Sequence, residues 1–296
     1  MTPAAPSSSE WLAPARVSDP CAIWGVLNLT PDSFSDGGRF RSLPAALAHA
    51  QRMIAEGASV VDIGGESSRP AGKTYGAGAL KISAAEEIDR VLPVVEALAG
   101  RAGVRLSIDT VKAEVAGAAL QAGAEIVNDV SGGQSPELLQ IVAAKGAEIV
   151  LMHTRDRGQV DPQNATYGDV VSEVYDELLS RVALAESLGI ARERIWIDPG
   201  IGFAKNAGQS AALLRALPAF VDSGYRVLLG TSRKSFIATL APRKDGVAPP
   251  PEQRLGGSLT TALLGALAGV AALRVHDVAE TFQALSLLHA IRGGPR

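Results

Sequence analysis

The chain has a single cysteine, Cys21, among 296 residues. One thiol excludes an internal disulfide framework and a cysteine-based metal cluster. Its place at the start of an apolar run reads as that of a small core residue. The four histidines include no His-x-x-x-His pair, so a helix-borne zinc site has no support. No Lys/Arg cluster stands out, and 28 basic against 31 acidic residues leave a net charge of −3. A nucleic-acid or anionic-membrane surface is therefore not indicated. Residues 1–20 are rich in Ala, Pro and Ser and lack the basic start and apolar run of a secretory signal. They read as a flexible extension ahead of one domain over 21–296. The uncharged run 255–273 is nearly long enough to cross a bilayer. Gly, Ala, Ser and Thr dominate it, however, so it reads as a buried helix in a cytoplasmic protein that needs no membrane.

What the chain does have is a rhythm. Short apolar runs stop on a polar residue eight times: on Asn28, Asp62, Asp109, Asn128, His153, Asp198, the pair Thr231 and Ser232, and His276. Helical stretches fall between them, at about 43–56, 84–99, 111–122, 136–145, 167–188, 210–221, 256–270 and 279–291. A G-A-x-[I/V]-V pattern recurs at Gly57, Gly123 and Gly146, where glycine ends a helix and branched residues open a strand. Repeated βα units of this size predict an α/β fold, a closed (β/α)₈ TIM barrel of about 250 residues. An open doubly wound sheet fits eight successive units less well. In such a barrel the strand C-termini carry the chemistry. Three loops on that face, 28–40, 64–78 and 154–165, are longer than connection requires.

Two apparent motifs are weak. Gly200-Ile201-Gly202-Phe203-Ala204-Lys205 begins like a dinucleotide fingerprint but has Lys205 where the third glycine belongs. Gly230-Thr231-Ser232-Arg233-Lys234-Ser235 lacks the glycine that precedes a P-loop lysine. The remaining strand-end groups are more informative. Ionised Asp109 and Asp198 only accept hydrogen bonds, Asn128 donates and accepts, and Lys234 only donates. That set suits a flat heterocycle with an amino–amide edge, with Met152 and Phe203 as apolar walls. Salt bridges across the barrel mouth are the other reading of the two aspartates. Arg274 and His276 alternate on the last strand and, with Asn28 from the first, would form an anion site. The other reading pairs His276 with Asp277. A pyrophosphate would bring Mg²⁺, for which Asn28, Asp32 and Asp36 are the candidate oxygen ligands.

The loops Asn28-Leu29-Thr30-Pro31-Asp32-Ser33-Phe34-Ser35-Asp36-Gly37-Gly38 and Asp62-Ile63-Gly64-Gly65-Glu66-Ser67-Ser68-Arg69-Pro70 resemble the two hallmark loops of the dihydropteroate synthase family. The likeness continues in order through Ser107–Thr110, Asn128–Gly132, Leu151–His153, Asp198–Phe203, Ser232–Ser235 and Arg274–Val278. It implies condensation of 6-hydroxymethyl-7,8-dihydropterin pyrophosphate with 4-aminobenzoate, giving 7,8-dihydropteroate and pyrophosphate in folate biosynthesis. By the same resemblance Asp109, Asn128, Met152, Asp198, Phe203 and Lys234 hold the pterin. Asn28, Arg69, Arg274 and His276 hold the pyrophosphate, with Asn28 on its Mg²⁺. Phe34, Ser68, Pro70, Phe203 and Ser235 surround the aminobenzoate. Asp36, Lys234, Arg274 and His276 are the residues expected to carry catalysis, and the site is that of a sulfonamide target.

The family also implies a homodimer, and the small-residue helix over 256–270, with Gly265 and Gly269, is the expected part of its interface. Departures occur at Ser68, where many relatives have threonine, in the long segment 71–78, and at Thr154-Arg155-Asp156-Arg157. The enzymatic rival is a methyltetrahydrofolate–corrinoid methyltransferase, which needs neither the aminobenzoate loops nor the Arg-x-His grip. A non-catalytic pterin-binding paralogue would be expected to lose Asp36, Lys234 or Arg274, and all three are present. An aldolase-like barrel would set its lysine in an apolar Schiff-base pocket, which the Ser-Arg-Lys-Ser context is not.

Overall fold

A computed structural model describes residues 21–29, 39–66, 81–101, 103–155 and 166–292, with backbone alone at 39–42. The strands are β1 (Ala22–Asn28), β2 (Val60–Gly64), β3 (Arg105–Asp109), β4 (Ile126–Asp129), β5 (Glu148–Met152), β6 (Ile195–Asp198), β7 (Arg226–Gly230) and β8 (Ala272–Val275). They close in sequence order into a parallel barrel, β8 returning to β1 with Trp24 opposite Arg274. The helices are α1 (Arg39–Ala55), α2 (Ala84–Leu98), α3 (Ala113–Gln121), α4 (Pro136–Lys145), α5 (Val170–Ser187), α6 (Ala207–Arg215), α7 (Leu217–Asp222), α8 (Ser235–Leu240), α9 (Leu255–Ala268) and α10 (Val278–Ile291). The expected (β/α)₈ barrel is the observed fold. No helix among the described residues is long and apolar enough to cross a membrane. The extension expected over 1–20 and most of the three long loops lie outside the described residues.

Two local differences from the expected elements have simple causes. The single helix expected over 210–221 is two, α6 and α7, meeting at Ala216. Pro218 lacks an N–H and sits in the first turn of α7, where that donor is not needed. Helix α8 was not expected, because six residues are too few to show a helical period.

Strand alternation divides the core in two. Outward residues such as Leu27, Val61, Ile63, Ile108, Ile149 and Leu229 pack beneath the helices. Inward residues Trp24, Val60, Ile126, Val150, Trp196, Leu228 and Ala272 form a separate cluster inside the barrel. Trp24 and Trp196 meet edge to face at 5.2 Å between ring centres. At the strand starts, Glu148 accepts from Trp196 Nε1 at 2.6 Å and pairs with Arg105 and Arg226, each at 3.1 Å. Arg226 also lies over the Trp196 ring, 4.1 Å from its centre. That end of the barrel is filled.

The small residues of α9 serve the barrel. A β-carbon at Gly265 would lie 2.5 Å from Leu229 Cδ2, so the glycine lets α9 approach β7 directly. Gly269, with φ of 90°, ends the helix in the left-handed conformation. Of the two packings open to this helix, against the barrel or against a neighbouring subunit, Gly265 makes the first, and Gly269 is a cap. Gly265→Leu should therefore destabilise the fold itself, by about 1–3 kcal/mol or more from overpacking. Thermal denaturation would register this as a lower Tm, and an unchanged Tm would mean that α9 does not pack this closely.

Candidate active site

The strand C-termini bring most of the expected residues to one face of the barrel. Asn28 lies opposite Gly64, Gly64 opposite Asp109, and Asp109 opposite Asn128, so four neighbouring strands present one row. Gly64 contributes no side chain to that row, and Asn28 Oδ1 and Asp109 Cβ would each lie 3.6 Å from a β-carbon placed there. Gly230 does the same on β7, between Arg274 and Asp198, with 3.8 Å to each. Neither glycine has a positive φ. Their purpose is the volume they leave open between polar neighbours.

Arg274 is the electrostatic centre of this face. Its Nε donates to Asp62 Oδ2 and its Nη2 to Asp109 Oδ2, both at 2.6 Å. Burial works against the guanidinium charge, but Asp62 and Asp109 outweigh it and hold the group above its ordinary range. Burial pushes Asp109 up to about 7 against the pull of Arg274, and the negative charge of Asp62 adds to the rise. The salt-bridge reading of the two aspartates is thus half realised. Asp109 is ion-paired, whereas Asp198 accepts the main-chain N–H of Gly200 at 2.7 Å. Burial raises Asp198 as well, with Lys234 the chief opposing charge.

Lys234 precedes α8, and its Nζ donates to Ile201 O at 2.5 Å. The same nitrogen lies 4.5 Å from the centre of the Phe203 ring. Burial lowers the amine to about 8, with Asp198 pulling the other way. Met152 and Phe203 are buried, as apolar walls would be. Ser235 is the exposed first residue of α8. His276 follows β8 and shares a hydrogen bond of 3.1 Å between its Nδ1 and Ser232 Oγ. Asp277, the partner in the other reading of His276, pairs with Arg233, Nε to Oδ2 at 3.0 Å. Phe34, Asp36, Ser68, Arg69 and Pro70, and Asp32 with them, lie outside the described residues.

Asp62 is the residue that sequence reasoning missed. It ends an apolar run, but β2 continues past it to Gly64, which leaves it one layer deeper than Asp109. It is fully buried, accepts from Asn128 Nδ2 at 3.2 Å as well as from Arg274, and keeps one buried oxygen without a partner among the described residues. A signal was available. Val60, Asp62 and Gly64 alternate inward, and a carboxylate inside a barrel needs a cation, which Arg274 supplies from the strand next to β1.

Among the described residues no three His, Cys, Asp or Glu side chains gather as a metal cage. Asn28 offers a single hard oxygen at the mouth. That donor set fits a cation of the Mg²⁺ type, which keeps its waters and takes one or two protein ligands beside phosphate oxygens.

Comparison with known proteins gives a consistent result. A family model described as "Pterin binding enzyme" matches residues 24–276. The chain is 44% identical to the dihydropteroate synthase of Mycobacterium leprae over 280 residues, covering 94% of this chain and 96% of that one. Dihydropteroate synthase from Xanthomonas albilineans, solved with 4-aminobenzoic acid, superposes with a TM-score of 0.84 at 42% identity, covering 94% of this chain and 95% of that one. The same enzyme in complex with 7,8-dihydropteroate gives 0.81 at 40% identity, with the same coverage. The Yersinia pestis enzyme, solved with a sulfonamide drug complex, gives 0.82 at 39%, covering 93% of this chain and 95% of that one.

Proposed function

The chain belongs to the pterin-binding enzyme family, and from that membership we propose that it carries out the dihydropteroate synthase reaction. It joins 6-hydroxymethyl-7,8-dihydropterin pyrophosphate to 4-aminobenzoate, releasing pyrophosphate and making 7,8-dihydropteroate for folate synthesis. The observation that carries this reading is the ring of acceptor and donor groups at the barrel mouth. Asp109, Asn128 and Asp198 stand beside Lys234 and Arg274, in the pattern that an amino–amide heterocycle bearing an anionic leaving group requires.

In the reaction the bond from the exocyclic methylene to the pyrophosphate oxygen breaks, and both electrons leave with pyrophosphate. Arg274 and His276 neutralise the growing negative charge. Asn28 would hold Mg²⁺ through its carboxamide oxygen, and the bound cation would share in that neutralisation. Ionised Asp109 and Asp198 favour the positive charge left on the pterin, from fixed positions that need no reorganisation. The aniline nitrogen of aminobenzoate then donates its lone pair to the methylene and loses a proton. Phe203 and Ser235 are proposed to border its place; the family resemblance assigns Phe34, Ser68 and Pro70 to the same substrate, Asp36 to catalysis and Arg69 to the pyrophosphate. No covalent intermediate with the protein is needed.

Purified protein given Mg²⁺, the pterin pyrophosphate and aminobenzoate should form dihydropteroate and pyrophosphate in equal amounts, with competition by sulfonamides. Pterin binding without either product would instead favour a non-catalytic paralogue. The enzyme is further proposed to act in the cytoplasm as a homodimer. Support for the dimer comes from the exposed apolar residues Leu264 of α9 and Phe282, Leu287 and Ile291 of α10. Sedimentation at assay concentration tests it, and a monomer would reject it.

A further inference from the structure

Lys205, which in the sequence only spoils a dinucleotide fingerprint, is one of the most enclosed cations among the described residues, with 5% of its surface exposed. Its Nζ lies 2.9 Å from Phe203 O, 3.3 Å from His153 O and 2.9 Å from His153 Nδ1. An ammonium has only protons to offer, so Nδ1 of that imidazole must accept, and the ring proton sits on Nε2. Nε2 in turn faces Glu177 Oε2 at 3.0 Å on α5. Burial, with the Lys205 charge added, lowers His153 to about 4, which keeps the ring neutral in this arrangement. Two main-chain carbonyls, one from β5's end and one from the loop after β6, are thus tied to a single buried charge.

That loop needs a tie. Gly200 and Gly202 have φ of 67° and 80°, and Ala204 has φ of 45°, a region that an alanine rarely occupies. A β-carbon on Gly200 would sit 1.9 Å from His153 O, so the loop lies directly on the backbone of the neighbouring strand end. The same few residues orient three parts of the pterin site. Gly200 N–H holds Asp198 Oδ1, Ile201 O receives the Lys234 ammonium, and Phe203 places its ring beneath that ammonium.

We propose that Lys205 is a positioning residue of the synthase site: by clasping His153 and the Phe203 carbonyl it sets the β6 loop so that Asp198, Lys234 and Phe203 are aligned before substrate arrives. This rests on the synthase reading for its kinetic consequences but not for its binding consequences. Lys205→Met keeps an unbranched side chain one atom shorter and removes charge and donors. The variant should bind 6-hydroxymethylpterin about tenfold or more weakly in a fluorescence titration, as loss of alignment at a distance commonly does. In turnover, its KM for aminobenzoate should rise together with that for the pterin substrate, because Phe203 moves with Asp198.

A purely structural lysine would lower Tm and leave the affinity of the folded fraction unchanged, so pterin affinity within twofold of wild type overturns the proposal. If Lys205→Met does not fold, His153→Gln is read by the same rule; it removes the imidazole acceptor and leaves both carbonyls. A weaker pterin affinity there supports the clasp, and an unchanged one overturns it. Wild-type protein that binds the pterin but makes no product would overturn the synthase reading alone, since the binding comparison still stands.

Discussion

Arg274→Ala is expected to reduce dihydropteroate formation by about 10³-fold or more and to weaken the fold as well, because oriented charge at the leaving group is lost together with a buried ion-pair partner. The stability loss follows from what the guanidinium leaves behind. Asp62 is fully buried and Asp109 is partly buried, and Arg274 is the cation that both contact. Removing one partner of such a group costs about 3–5 kcal/mol. The deficit should depend on pH in a definite sense. Asp109 already stands near 7, and losing Arg274 raises it further. A carboxyl with a raised native pKa keeps its contribution at low pH and loses it as pH rises from the unfolded value of about 3.9 through the native one. Urea denaturation of the variant should therefore show a smaller deficit at pH 5 than at pH 8. The double variant Arg274→Met, Asp62→Asn should recover stability without recovering turnover. Activity of Arg274→Ala above a tenth of wild type would remove the guanidinium from catalysis.

Lys234 carries the second large effect. Replacing it with methionine should cost about 100-fold or more in kcat/KM for the pterin substrate, the size seen when one preorganised donor is removed. The sharper result lies in the pH profile. Productive binding needs Asp109 ionised and Lys234 protonated, with the first pushed up to about 7 and the second down to about 8. The wild-type profile should rise through the first value and fall through the second, a narrow bell. In Lys234→Arg the guanidinium does not titrate in this range, so the alkaline fall should vanish while the acid rise stays. Titration of the substrate's own phosphates is common to both proteins and cancels in the comparison. An alkaline limb that persists in Lys234→Arg would assign that titration to another group.

Much of this could be read before any coordinates. The barrel was legible because each strand is an apolar run stopped by a polar side chain, and that stop coincides with the catalytic face of the fold. Asp109, Asn128, Asp198 and Lys234 were legible for the same reason, as strand-end or near-strand-end groups of mixed donor and acceptor type. Partnership was harder to see. Arg274 was expected to meet an anion with His276, and nothing local to β8 indicates that its guanidinium spans two carboxylates from β2 and β3. Asp62 was hidden because the apolar run stops there while the strand does not. Lys205 was hidden more deeply. Two of its partners are main-chain carbonyls, which no residue pattern displays, and the backbone strain it offsets appears only in φ.

The paired tryptophans at the strand starts have a kinetic consequence. With Trp24 and Trp196 filling the interior and the Arg105–Glu148–Arg226 group beyond them, the barrel is a room with one door. Asp109, Asn128 and Asp198 stand just inside it at the strand C-termini, with the exposed Ser235 on α8. Whatever enters must queue. With the two substrates placed as proposed, pterin pyrophosphate goes in ahead of aminobenzoate, and an aminobenzoate that arrives early stands in its partner's way. Initial rates should then show ordered addition and inhibition by excess aminobenzoate, because the filled floor offers no second way in.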